Sequence, residues 1–406
     1  MREVIIVKKY YSITLFTSLF VILPLLFFIC GCRDNVKKID YSDKYVFGQD
    51  SQENCIALQG CAVTAESRKS YYYLCEDNKF IYVVDKTSKK CMPLCNKTNC
   101  LHDKEATPED CNAFLGVTAD NIIFYNDYLY YSSSKEYTDK DGVLHTVNEI
   151  NSIALDGSSK TNVFSTEEYT IWSFKIHRGF MYADMTLISS EGNSEGKNSS
   201  LYKISIEDTS KITEFLPYKE YRKIKGFLVL DTRFYGNNLI LLFNKLDKNN
   251  EEERILINYD LQTDKWINLS EKLKVNVTSF FTVCKDNIYY GAKNKVYKCD
   301  FQGNNQSCII DGGDSEFSKF KDYTYFNPLT NDGENVIINV ANDDGVSRDV
   351  IFYNCDNDKT EIHKLKGANQ ADSGGDEKSL IYKADNSLYF YDKKEKKTYT
   401  IYDFES

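Results

Sequence analysis

One hairpin pattern recurs along this chain: a hydrophobic strand ending on an acid, a polar turn, then a second strand. It reads FIYVVDKTSKKCMPL at 80–94, NSIALDGSSKTNVF at 151–164, LYKISIEDTSKITEFL at 201–216 and LINYDLQTDKWINL at 256–269. It returns as KVYKCDFQGNNQSCII at 295–310, VIFYNCDNDKTEIHKL at 350–365 and SLYFYDKKEKKTYTIY at 387–402. Aligned on Asp85, Asp156, Glu207, Asp260, Asp300, Asp356 and Asp392, the units repeat at a mean spacing of about 51 residues, with gaps from 36 to 71. Between them lie short segments rich in Tyr, Phe, Val and Ile, broken by Asp, Asn, Gly and Ser, with almost no amphipathic helix longer than two turns. A second polar pair precedes an apolar run in several units: Asn126-Asp127, Asn237-Asn238, Asp286-Asn287 and Glu334-Asn335. Such pairs tolerate the positive φ of tight hairpin turns, so these polar residues recur for backbone reasons.

Units of about 50 residues with three or four strands each, filling residues 55–406, are the arithmetic of an all-β fold, a β-propeller. The repeat predicts seven blades, with six or eight the neighbouring counts because the first and last units are short. Residues 55–65 are placed to pair with the last unit and close the ring. The rival architecture is a pair of β-sandwiches, which would not need so regular a period. The insertions at 132–149 and 189–200 belong on the rim, where loops of neighbouring blades build binding surfaces. The acid-terminated hairpins and Tyr-rich strands are similar to TolB-like and receptor-type propellers, although the YWTD tetrapeptide, the Trp-Asp mark, the kelch Gly-Gly pair and the sialidase Asp-box are missing.

Ahead of the repeat, Arg2, Lys8 and Lys9 precede an uncharged run, Ser12 to Ile29, that closes on Ile29-Cys30-Gly31-Cys32. The leader reads as a signal peptide, and its end resembles the lipobox of bacterial lipoproteins. The resemblance implies cleavage before Cys32 and acylation of its thiol, with a retained membrane helix as the alternative. The expected organisation is a signal peptide at 1–31, a lipidated N-terminus and flexible tether at 32–54, and one propeller domain at 55–406. Either way the bulk of the chain stands on the extracytoplasmic face of a cell membrane, which is its first expected partner.

The net charge of −10 becomes −12 once residues 1–31, with three basic residues and one acid, are removed. A surface of that sign, with no basic stripe, repels phosphate backbones and argues against nucleic-acid binding. A mean hydropathy of −0.47 with 14% aromatic residues suits a folded body with no further spanning segment.

Thirteen cysteines are many for an exported chain, and five chemically soft residues crowd into CMPLCNKTNCLHDKEATPEDCNA: Cys91, Cys95, Cys100, His102 and Cys111. Cys95, Cys100, His102 and Cys111 offer three thiolates and an imidazole, a donor set suited to a tetrahedral structural zinc ion. Disulfides among the four cysteines would equally staple such a loop in an oxidising compartment, and reduced thiols are the third possibility. Here the chain resembles uncharacterised clostridial lipoproteins of the Firmicutes that carry a propeller of unknown function. The shared residues are Pro93-Leu94-Cys95, Cys100-Leu101-His102 and Cys111-Asn112-Ala113. That resemblance implies fold and location and supplies no activity; Cys91 falls outside its pattern. Elsewhere Cys299 and Cys308 flank the turn 302–305 symmetrically and are a candidate cross-strand disulfide, and Cys55 with Cys61 form a second candidate pair. Cys75, Cys284 and Cys355 read as buried strand residues.

Four histidines, His102, His145, His177 and His363, sit in no nucleophile, metalloprotease, P-loop or dinucleotide motif. The acidic segment 139–142 fails as a calcium loop, since loop positions one and twelve would be Tyr137 and Asn148. Trp172 and Trp266 suit sugar stacking or packing between blades. The leading expectation is a surface-tethered, non-catalytic binding module for a peptide, glycan or envelope protein. Its rivals are an envelope hydrolase or lyase using channel carboxylates and a scaffold with no small ligand.

Overall fold

The computed structural model describes residues 39–406 apart from 57–62, 76–78, 103–106, 108–109, 117–118, 189–198, 216–218, 220–222, 225–227, 275–276, 278–279, 343–344, 367–372, 385 and 405–406. Cys32, the expected lipid site, and Cys61 lie outside the described residues, as does the leader. Residues 40–406 form one compact unit.

Seven antiparallel sheets of sequential strands make up this unit, at 64–93, 119–166, 169–214, 228–268, 281–311, 325–364 and 373–403. They are the seven blades that the hairpin period predicts. The first strands of neighbouring blades face one another around the axis, and the fourth strands form the outer rim, as in the half-exposed Lys265–Asn268. Side chains alternate across each strand, so both faces of a blade meet its neighbours, and Tyr71, Tyr289, Tyr290, Tyr353 and Tyr391 are packed there almost without exposure. Trp172 and Trp266 stay out of this packing, at 59% and 47% exposure.

The repeated acid has one local job. It stands in the turn between the third and fourth strands, and its carboxylate accepts backbone N–H groups of that turn. Asp85 accepts from Thr87 and Ser88, Asp260 from Gln262 and Thr263, and Asp300 from Gln302 and Asn304. In blades 3 and 6 the job falls two residues earlier, to Ser205 and Asn354, so Glu207 and Asp356 are aligned with the repeat without performing it. Of the polar pairs expected to take positive φ between first and second strands, Asn126 and Asp127 both do; in blade 5 it falls one residue early, on Lys285 and Asp286, and in blades 4 and 6 it falls to Gly236 and Gly333 just before the pairs.

The N-terminal segment departs from expectation. The sequence places 32–54 in a flexible tether, yet from Asp40 onward the chain is packed into the propeller. Residues 40–56 run across one end and down the central channel like an axle. Gly48 O accepts from Asn126 of blade 2, and Gln49 O from Arg178 of blade 3. Glu53 Oε1 accepts the Phe234 N–H of blade 4, and Asn54 Nδ2 donates to Gly375 O of blade 7. The segment lacks hydrophobic period because its polar side chains supply the partners that the inner ends of the blades need. Its last two residues, Cys55–Ile56, pair with Gly374 and Ser373, adding a fifth strand to blade 7 on the channel side. This is the expected closing contact, with two ladder pairs among the described residues.

Candidate functional site

The thiol cluster grows out of blade 1. Its outer strand, Cys91–Pro93, pairs with Val84, Val83 and Tyr82. The chain then leaves as a loop and returns to the same edge, where Phe114 bridges to Phe80 and Ala113 O accepts from Ile81 N. Leu94, Cys111, Ala113 and Leu115 are buried beneath the loop. Blade 2 holds it from the other side: Lys160 Nζ donates to Phe114 O at 2.8 Å, and the Asp156-Gly157 turn abuts the Leu94 carbonyl.

Within this loop Cys95, Cys100, His102 and Cys111 come together, with one donor atom of each lying within 4.8 Å of the others. His102 Nδ1 stands 3.5 Å from Cys111 Sγ. A tetrahedral zinc ion with ordinary Zn–S and Zn–N bonds would set its S and N ligands about 3.6 Å apart. Burial raises the Cys95 thiol, but N–H groups of Lys97 and Asn112 and the neighbouring thiols of Cys100 and Cys111 outweigh it and hold Cys95 below the ordinary thiol value. Burial pushes Cys111 up to about 12. The three-sulfur, one-nitrogen set is one that a tetrahedral metal ion fits. Cys91 stands outside this group of four donors and is pushed up to about 12 by burial alone.

The other expected cysteine pair does not form. A bulge between Val296 and Tyr297 shifts the ladder, so Cys308 opposes Tyr297 and Cys299 is displaced from it along the strand. A diagonal separation of about 7–8 Å exceeds what a disulfide bridges. Cys299 is buried and Cys308 exposed, both as free thiols. Cys55 is buried, and Cys61, its expected partner, lies outside the described residues.

A second site opens where the axle enters the channel. A cavity of about 400 Å³ is walled by the turns of blades 1, 5, 6 and 7 and by Tyr45, Phe47 and Tyr235, with Glu53 and Asn54 of the axle among its lining residues. Lys86 reaches across the junction of blades 1 and 7, touching Glu66 and lying 2.8 Å from Asp376 Oδ2. Burial raises Glu66. Burial also works against Asp376, but Lys86 and the N–H groups of Lys378 and Ser379 hold it down at about 2. Asp332 is fully buried against Lys393. Arg68 lies over the Phe47 ring at 4.9 Å.

Deeper in, the axle's acids meet basic residues on inner strands. Asp50 accepts from Arg178 Nε at 2.7 Å, and Glu53 lies 3.2 Å from Lys175 Nζ and 3.5 Å from Arg233 Nη1. The sequence marks these groups by cations set among apolar residues of inner strands, Lys175 and Arg178 in FKIHR and Arg233 in TRFY, which demand buried partners.

No family model matches the chain, and no curated protein matches it. Among solved structures it is similar to the β-propeller domain of the Trilobed protease from Pyrococcus furiosus, at 8% identity and a TM-score of 0.45, covering 88% of this chain and 98% of that one. It is similar also to the acylaminoacyl peptidase of Pyrococcus horikoshii, at 11% identity and a TM-score of 0.49, covering 91% of this chain and 54% of that one. A third is dipeptidyl peptidase 4 of Porphyromonas gingivalis, at 11% identity and a TM-score of 0.45, covering 89% of this chain and 60% of that one.

Proposed function

We propose that this chain is an envelope-tethered, non-catalytic binding propeller that takes a peptide segment in the cavity at the channel mouth. The observation that carries the reading is the cavity itself: about 400 Å³, bordered by the chain's own axle and lined by both signs of charge and three aromatic rings. A peptide presents charges of both signs beside apolar side chains. A neutral glycan would desolvate Arg68 and the Glu66–Lys86–Asp376 group without offering them charged partners. Anchoring through acylated Cys32 rests on the lipobox resemblance. The thiol cluster serves as a structural zinc site that pins the blade 1 loop against blade 2 and has no part in the ligand cavity.

The test is a peptide array beside a glycan array on the full chain in detergent. Peptide hits that weaken at high salt and are lost in Arg68→Ala support the reading, and hits confined to glycans overturn it. Incorporation of a clickable fatty acid, abolished by Cys32→Ala, checks the anchor.

One observation favours a second reading. Glu66 and Asp376 are displaced in opposite directions within one cavity, the pattern of an acid and base pair in hydrolases. Both touch the same Lys86 ammonium, so each is already engaged. Turnover of any array ligand that Glu66→Gln abolishes would establish the hydrolase or lyase instead.

A further inference from the structure

Cys284 ends the first strand of blade 5, Phe281–Cys284. Cys355 lies just beyond the third strand of blade 6, Gly345–Asn354, and its N–H donates to Glu334 O at 2.8 Å. They are 71 positions apart, yet both belong to the hydrophobic cluster between these blades. The residue after each is in contact with the residue after the other, as Lys285 and Asp356 form an ion pair. Asn331 Nδ2 of blade 6 donates to Val283 O of blade 5 at 3.0 Å, fixing the same junction from the axis side. Two thiols are thus held side by side across a blade boundary, and Cys284 lines the channel cavity.

We propose that Cys284 and Cys355 are a thiol–disulfide exchange site, in which a small-molecule disulfide converts the pair to a bond joining blades 5 and 6. The two cysteines are unequal in the way such chemistry needs. Cys355 is partly exposed, whereas Cys284 is buried. The neighbouring Cys284 thiol is the main influence that holds Cys355 below the ordinary thiol value, against burial. The reverse effect raises Cys284.

Cys355 thiolate attacks one sulfur of a disulfide RSSR, forming Cys355–S–SR and releasing RS⁻, which takes up the proton lost by Cys355. The Cys284 thiol, losing its own proton, then attacks Cys355 Sγ and expels the second RS⁻. Two protein thiols and RSSR become one protein disulfide and two RSH, so two electrons leave the protein and reduce the small disulfide. The bond would fix the blade 5 and blade 6 turns that wall the cavity. Nothing in the chemistry depends on what the cavity binds.

The experiment exposes the folded full chain to oxidised glutathione at neutral pH, quenches in acid, alkylates and maps the digest without reduction. The expected product is a linked pair of peptides containing Cys284 and Cys355, lost on adding dithiothreitol. Cys284→Ser should trap a stable glutathione adduct on Cys355, and Cys355→Ser should leave Cys284 unmodified. In the untreated protein, Cys355 should alkylate at least about ten-fold faster than buried Cys75 or Cys299. If the wild-type protein forms no Cys284–Cys355 link and Cys355 alkylates no faster than Cys299, the proposal fails, whether or not the serine variants fold.

Discussion

At the scale of single residues, a few positions decide whether the thiol loop can sit where it does. Gly157 has φ +82°, and a Cβ there would lie 2.3 Å from the Leu94 carbonyl oxygen. Neither the loop backbone nor the left-handed turn can give way cheaply. Gly157→Ala should therefore cost about 2–3 kcal/mol and loosen the loop, read as a lower melting temperature and new proteolytic cuts within 95–111. Gly142, with φ +82° and nothing within 4 Å of an added Cβ, is the control: Gly142→Ala carries only the turn strain, about 1 kcal/mol. Metal removal is argued at the same scale. If Cys95, Cys100, His102 and Cys111 hold zinc, elemental analysis should find one ion per chain. A chelator should then lower the melting temperature by a few degrees and open the loop to protease while leaving the far-ultraviolet spectrum of the blades intact. A full-strength response from metal-free protein would remove the metal from the account. This cluster was legible in the sequence because its four donors fall within 17 residues. The Cys284–Cys355 pair was not, because only the ring brings its halves together.

At the scale of the element, the axle matters most. Asp50 is fully buried, accepts from Arg178 Nε at 2.7 Å and also accepts the Gly236 N–H. Arg178 is 3% exposed and donates in addition to Asn237 Oδ1 and Lys44 O. Asp50→Asn keeps the shape and leaves a buried guanidinium without its counter-charge, a loss of about 3–5 kcal/mol that equilibrium denaturation would measure. His177 gives the axle a pH dependence. Its Nδ1 accepts from Ser51 N and its Nε2 donates to Gly236 O, so the folded ring is neutral. Burial holds its pKa down at about 3. The unfolded chain takes up a proton below about 6.5, so the contribution of His177 is whole above that value and drains away as pH falls toward 3. Between pH 6.5 and 5 the loss is about 2 kcal/mol. Melting temperatures across that range should fall in the wild type and flatten in His177→Gln; parallel slopes would show that another group carries the effect.

At the scale of the whole molecule, the ring closes without exchanging a strand between its first and last blades. Blade 1 is built from 64–93 and blade 7 from 373–403, and among the described residues Cys55–Ile56 is the one strand that pairs with the other end of the chain. Their seam is held by side chains: Tyr71 to Ser379 at 2.9 Å, Lys86 to Asp376 at 2.8 Å, Tyr82 to Tyr402 at 3.1 Å and Lys89 to Asp392 at 2.9 Å. Blade number was legible because each third-to-fourth turn needs an oxygen at one place, and that need writes itself into the sequence as a period. The axle was not, because its partners lie far away in sequence, Ser51 to His177 across 126 positions and Asn54 to Gly375 across 321; a polar stretch whose partners are distant reads the same as a solvated tether. The two readings predict opposite results for truncation. Were 40–54 a tether, a chain beginning at residue 57 would fold as well as one beginning at residue 39. With the axle gone, Lys175 and Arg178 lose Glu53 and Asp50 while Arg233 keeps only Asp231 of its own strand, and each uncompensated cation costs several kcal/mol. Against a typical stability of about 5–15 kcal/mol, that sum is enough to unfold the ring. The shorter chain should therefore lose its cooperative melting transition, and calorimetry of the two chains side by side would decide between an axle and a tether.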